Sequence, residues 1–133
     1  MGRTLVSVAD TVHLVLLVDD QKDMRQLARM LIELEQAAGT MRITEASGGA
    51  DAISICKAES VDVMVLDLHM PGVPGLEVLR AMRGLSNPPC VVAWSADDSA
   101  LREAESLGAH AIVDKTDADA LVRAIDDCIA RSA

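Results

Sequence analysis

Asp67 closes the apolar run Val61-Asp62-Val63-Met64-Val65-Leu66, and the acidic pair Asp19-Asp20 follows another, Leu14-Val15-Leu16-Leu17-Val18. If both runs are parallel strands, three carboxylates meet at one edge of a sheet. Two carboxylates 4 Å apart repel by roughly 4 kcal/mol at an effective dielectric of about 20, so the cluster calls for a cation. An all-oxygen ligand set selects a hard ion, and Mg²⁺ is the one expected. Taken singly, each acid has a plainer reading as a cap for the helix that follows its strand. Taken together they point to a site, because crowding carboxylates adds nothing to fold stability. Ser95 ends Val91-Val92-Ala93-Trp94 and Lys115 ends Ala111-Ile112-Val113-Asp114. Alone they read as a helix cap and a solvated charge. Beside the acids they supply a hydroxyl donor and a fixed cation.

The elements that must position these residues are legible from periodicity. Residues 14–19, 41–46, 61–67, 90–95 and 109–114 are strand candidates, and the unbroken hydrophobicity of the first, third and fourth suits strands covered on both faces. Met24, Leu27, Ala28, Leu31 and Ile32 form a helical stripe, as do Ala118, Leu121, Val122, Ile125 and Ile129. Gly39 is a candidate stop for the first helix, Ser47 a candidate cap for the second, and Thr116 with Asp119 a capping box for the last. The pattern is βα repeated five times, an α/β fold with a parallel sheet and right-handed crossovers. In such a sheet ligands bind beyond the carboxyl ends of the strands where the strand order reverses. That rule gathers Asp19, Asp20 and Asp67 in one pocket if the first and third strands flank the reversal. Residues 1–12 read as an N-terminal extension and 13–133 as one domain.

Composition narrows the function. A chain of 133 residues can bury a sizeable core without a disulfide or a structural metal. A net charge of −9 disfavours nucleic acid and anionic membranes as partners. Cys56, Cys90 and Cys128 are odd in number and show no metal-ligand spacing, so they read as buried thiols in a reducing cytosol. Neither a signal-peptide core nor a membrane-length apolar run is present, and a cytoplasmic location is expected. His13 and His110 have no ligand spacing either.

From about Leu14 to Arg131 the chain resembles the receiver domains of two-component response regulators. The resemblance rests on four motifs in order: Asp19-Asp20, the Asp67-x-x-Met70-Pro71-Gly72-x-x-Gly75 loop, Ser95-Ala96, and Gly108-Ala109 leading to Lys115. It implies a five-stranded, doubly wound, flavodoxin-like sheet of order 2-1-3-4-5. It further implies that Asp67 accepts a phosphoryl group from a sensor histidine kinase, a phosphotransferase or a small phosphodonor. Asp20, Asp67 and the backbone carbonyl of His69 would hold Mg²⁺ directly, and Asp19 through water. Lys115 would pair with Asp67 and then with a phosphoryl oxygen, and Ser95 would donate its hydroxyl after transfer. The domain would catalyse its own phosphorylation and slow hydrolysis, a task mostly of positioning and charge neutralisation. Only Arg131-Ser132-Ala133 closes the chain, so a stand-alone domain that signals to a downstream protein through residues 98–131 is expected.

The chain departs from the family at three places, one of them Trp94, immediately before Ser95, where an aliphatic residue is more usual. Ile112 stands where a Phe or Tyr is usual, which removes the ring thought to turn inward on activation. Thr116 follows the lysine where Pro is usual, so a cis bond there is not expected. Trp94 should point away from Ser95 by strand alternation and act in packing, while the His69 side chain should overhang the acidic pocket. A haloacid-dehalogenase phosphatase would want a second Asp two residues after its nucleophile, and here His69 and Gln21 occupy those positions. A flavodoxin would want a phosphate-cradling first loop and an aromatic to stack on flavin. The competing reading is a receiver-fold docking module with little or no phosphorylation-driven switching.

Overall fold

A computed structural model describes residues 12–35 and 41–132 of the chain. Gly39 and nearly all of the expected extension fall outside those residues. Five βα units run in order: β1 (His13–Val18), α1 (Lys22–Glu35), β2 (Met41–Ala46), α2 (Gly49–Ala58), β3 (Val63–Asp67), α3 (Gly75–Met82), β4 (Cys90–Ser95), α4 (Asp98–Ser106), β5 (Ala111–Asp114) and α5 (Ala118–Ser132). All strand pairs are parallel and the sheet order is β2-β1-β3-β4-β5, as the resemblance implied.

Strand alternation divides the core into two layers. Leu16, Val18, Met64, Leu66, Val91 and Ala93 face one layer with Ala52 of α2, Val78 and Leu79 of α3, and Leu101 of α4. Val15, Leu17, Val63, Val65, Val92 and Trp94 face the other with Ile32 of α1 and Leu121, Ile125 and Cys128 of α5. Helices thus cover both faces of the sheet, and the central strands are apolar throughout because neither face meets water. Arg25 and Arg29 on α1 both bind Glu45 of β2, at 2.8 Å each, and the two guanidiniums hold its carboxyl below the usual carboxylate range.

Three expectations need correction. Gly48, not Ser47, occupies the cap position of α2, and no side chain caps that helix. The start of α5 is capped by Asp117, whose carboxylate accepts from the Ala120 N–H, while the Thr116 N–H and hydroxyl both donate to Asp114. Cys90 and Cys128 are joined in a disulfide rather than lying as separate thiols. Cys56 remains a half-buried thiol whose pKa burial pushes up to about 11, which makes it a poor nucleophile.

Candidate functional site

Each residue singled out by the sequence arrives at the carboxyl edge of the sheet. Asp19 follows β1, Asp67 and Ser95 are the last residues of β3 and β4, and Lys115 follows β5. The order of strands reverses between β1 and β3, so the first two stand at the reversal. Asp19, Asp67 and Ser95 are buried and Asp20 is exposed. The three acids bring carboxylate oxygens within 4.8 Å of one another. Lys115 Nζ lies 2.9 Å from Asp19 Oδ2 and 3.3 Å from Asp67 Oδ1.

One ammonium facing three carboxylates leaves the pocket with an excess of negative charge. Burial is the main reason that Asp67 is held above the usual carboxylate range, and the charge of Asp19 pushes the same way. The His69 N–H, 3.2 Å from Asp67 Oδ1, and Lys115 oppose that shift without cancelling it. Asp19 is fixed by its second oxygen, which accepts from the Gln21 N–H at 2.9 Å, and Arg25 grips its backbone carbonyl at 2.7 Å. An oxygen-only, net-anionic donor set of this kind fits a hard divalent cation.

The walls of the pocket are shaped by backbone as much as by side chains. Gly72 turns the β3–α3 loop with φ of 80°, a left-handed conformation that glycine adopts without strain. Gly75 packs so tightly that a Cβ there would lie 2.4 Å from the Asp67 carbonyl oxygen. Ser95 Oγ accepts the Asp97 N–H at 3.1 Å, so its own proton remains available to an acceptor in the pocket. Asp97 then caps α4 through the Ala100 N–H and pairs with His69 Nε2 at 3.0 Å. The His69 ring therefore closes a bridge from the β3–α3 loop to α4, a contact that sequence spacing could not show because 28 residues separate the partners.

Trp94 packs in the layer of α1 and α5, as alternation requires, yet it also touches the site: Lys115 Nζ stands 5.2 Å from the ring centroid. Ile112 is half-buried against the other layer. The peptide bonds of the described residues are all trans, in keeping with Thr116 after the lysine.

Comparison with known proteins agrees with this arrangement. The model for the response regulator receiver domain matches residues 15–126. Response regulator UvrY of Escherichia coli is 46% identical over 66 residues, which cover 50% of this chain and 29% of UvrY. Transcriptional regulatory protein ResD of Bacillus subtilis is 36% identical over 88 residues, covering 66% and 35%. The chain thus spans about a third of the length of these relatives. Among solved structures, a two-component response regulator of the LuxR family from Aurantimonas superposes with a TM-score of 0.80 at 26% identity, covering 91% of this chain and 87% of that one. Members of this family generally bind Mg²⁺ in the acidic pocket and work with histidine kinases or phosphotransferases. With the fold, the strand order and the matched span in agreement, the chain belongs to the response regulator receiver domain family of two-component signalling.

Proposed function

We propose that Asp67 is the phosphoryl acceptor of a Mg²⁺-dependent switch. The observation that carries this reading is the carboxylate cluster, buried at Asp19 and Asp67 and only partly compensated by Lys115, at the point where the strand order reverses. Asp20, Asp67 and the His69 carbonyl would hold the metal, with Asp19 through water; it supplies neutralisation of phosphoryl oxygens and of the acids themselves. Asp67 Oδ1 is occupied by the His69 N–H and Lys115, so Oδ2 is the oxygen assigned to the attack. It forms a bond to phosphorus as the bond from phosphorus to the donor's imidazole nitrogen or acyl oxygen breaks, and the donor leaves with that electron pair. Lys115 then moves its charge to a phosphoryl oxygen, and Ser95 donates its hydroxyl proton to another. The donor is a sensor histidine kinase or a phosphotransferase in the cytoplasm, and the readout is a downstream protein bound through residues 98–131.

Intact mass after incubation with acetyl phosphate and Mg²⁺ tests the reading. A gain of about 80 Da, one added HPO₃, is expected in the wild type and absent from Asp67→Asn and from metal-free protein. No gain from acetyl phosphate or from a cognate kinase would leave the docking module as the better description.

A further inference from the structure

At the opposite end of the sheet, three residues that show no ligand spacing in the sequence come together. Cys90 opens β4, His110 directly precedes β5, and Cys128 sits on the buried face of α5. Their donor atoms all lie within 4.8 Å of one another. The His110 N–H hydrogen-bonds to the Val91 carbonyl at 2.8 Å, which fixes its backbone beside β4. Its ring nitrogen Nε2 lies 2.7 Å from Asp127 Oδ2. A cleft of about 500 Å³, lined in part by Asn87, Pro89, Cys90, His110, Cys128 and Arg131, gives solvent a route to the wholly buried Cys128.

We propose that this is a thiol-based metal site coupled to a disulfide: the reduced domain binds one soft divalent cation of the Zn²⁺ class through Cys90, Cys128 and His110, and closure of the Cys90–Cys128 bond abolishes that site. Two thiolates and an imidazole are the donor set that soft or borderline ions prefer, whereas Mg²⁺ prefers the carboxylates at the far end. A tetrahedral ion with sulfur arms of about 2.3 Å needs its two sulfurs roughly 3.8 Å apart. The Cα atoms of Cys90 and Cys128 are 5.8 Å apart, and rotation of the two thiol arms supplies that separation once the bond opens. With Nε2 committed to Asp127, Nδ1 is the donor left for the metal, and the carboxylate orients the ring as such partners do in histidine-ligated sites. A water from the cleft completes the fourth position.

The two states exchange through ordinary thiol–disulfide chemistry with a small disulfide as oxidant. The more exposed Cys90 thiolate attacks one sulfur of that oxidant, its S–S bond breaks, and the first thiolate leaves with the electron pair. Cys128 as thiolate then attacks Cys90 of the mixed disulfide and expels the second thiolate. Two electrons pass from the cysteine pair to the oxidant, which ends as two thiols, and the metal is released. In a reducing compartment, where disulfides rarely persist, the metal-binding form would be the resident one.

The test uses Co²⁺ on the whole chain in excess Mg²⁺, which occupies the carboxylate pocket. Reduced wild type is expected to take up one Co²⁺ with a thiolate-to-cobalt charge-transfer absorption, and Zn²⁺ should displace it. Protein oxidised to the Cys90–Cys128 disulfide should show no such band, a comparison that needs no variant to fold. Cys56→Ser should retain the band in full, and His110→Ala, checked for fold by circular dichroism, should bind at least about tenfold more weakly. Absence of the band in reduced wild type, equal binding by the oxidised form, or an unchanged affinity in His110→Ala overturns the proposal.

Discussion

Asp67 is buried beside Asp19, so the ionisation that the proposed phosphoryl transfer requires works against the fold. Its carboxyl titrates above the usual range in the folded state, which means that it favours folding only while protonated. That contribution is present below the ordinary carboxylate pKa and is lost as pH rises through the raised folded value. Asparagine imitates the protonated acid. In the absence of divalent ions, Asp67→Asn is therefore expected to melt higher than wild type at pH 7, by roughly 3 °C, the scale of about 1 kcal/mol in a domain of this size. The gap should close as pH falls below about 4, where the wild-type carboxyl is neutral in both states. A variant that melts lower at pH 7 would show that Lys115 stabilises the ionised form more than burial and Asp19 oppose it. The emission of Trp94, the chain's one aromatic and a neighbour of Lys115, supplies a companion titration: Mg²⁺ should change it in wild type and not in Asp67→Asn. At this scale the acids, Ser95 and Lys115 were legible because each ends an apolar run that announces its own strand. Cys90, His110 and Cys128 were not, because 38 residues separate the two cysteines and only the docking of α5 on β4 joins them.

Elements bring those residues into register, and one glycine shows how little tolerance they have. Gly75 begins α3, where a Cβ would lie 2.4 Å from the Asp67 carbonyl oxygen and 2.6 Å from Leu68 Cα. Both neighbours are backbone, so neither can swing aside. Gly75→Ala must push α3 away from the end of β3 or displace Asp67 itself, at a cost of about 1–3 kcal/mol in thermal or denaturant unfolding. A shift of about 1 Å in a reacting group can cost roughly 100-fold, so labelling of Asp67 by acetyl phosphate should slow at least about tenfold. Stability lost with the labelling rate intact would show that the loop absorbs the methyl elsewhere. The βα alternation was readable because burial on both faces writes continuous apolar runs, and the strands begin within two residues of where those runs predict. The caps were not, since several Ser, Thr and Asp residues crowd the starts of α4 and α5, and α2 takes Gly48 in place of the neighbouring Ser47. Which oxygen meets a free N–H is decided by the loop: Asp114 engages Thr116 and Asp117 takes the cap of α5.

Across the whole molecule, the question is how a phosphoryl group at β3 would be felt on the α4–β5–α5 face when residue 112 is isoleucine. The structure offers a route that needs no rotating ring. Ser95 Oγ holds the Asp97 N–H, Asp97 caps α4 through Ala100, and the same carboxylate pairs with the His69 ring from the β3–α3 loop. The Ala100 N–H first, and then the His69 ring, hold the Asp97 carboxyl below the usual carboxylate range, so the ionised form is the one the bridge and the cap require. A group that draws Ser95 toward Asp67 must drag or release the Asp97 N–H, and α4 begins on the next residue. Beryllofluoride with Mg²⁺, a stand-in for the acyl phosphate, is therefore expected to change hydrogen exchange most in the first turn of α4, residues 98–101, and little in α1 and α2. Ser95→Ala should keep beryllofluoride bound while losing most of that α4 response, because it removes the link and leaves the acidic pocket in place. Beryllofluoride binding without any change in residues 98–131 would favour the docking module, in which the receiver fold presents a fixed surface. Coupling of this kind requires two arrangements of one element biased by the site, and α4, tied to the pocket through Asp97, is the element whose end would record the shift.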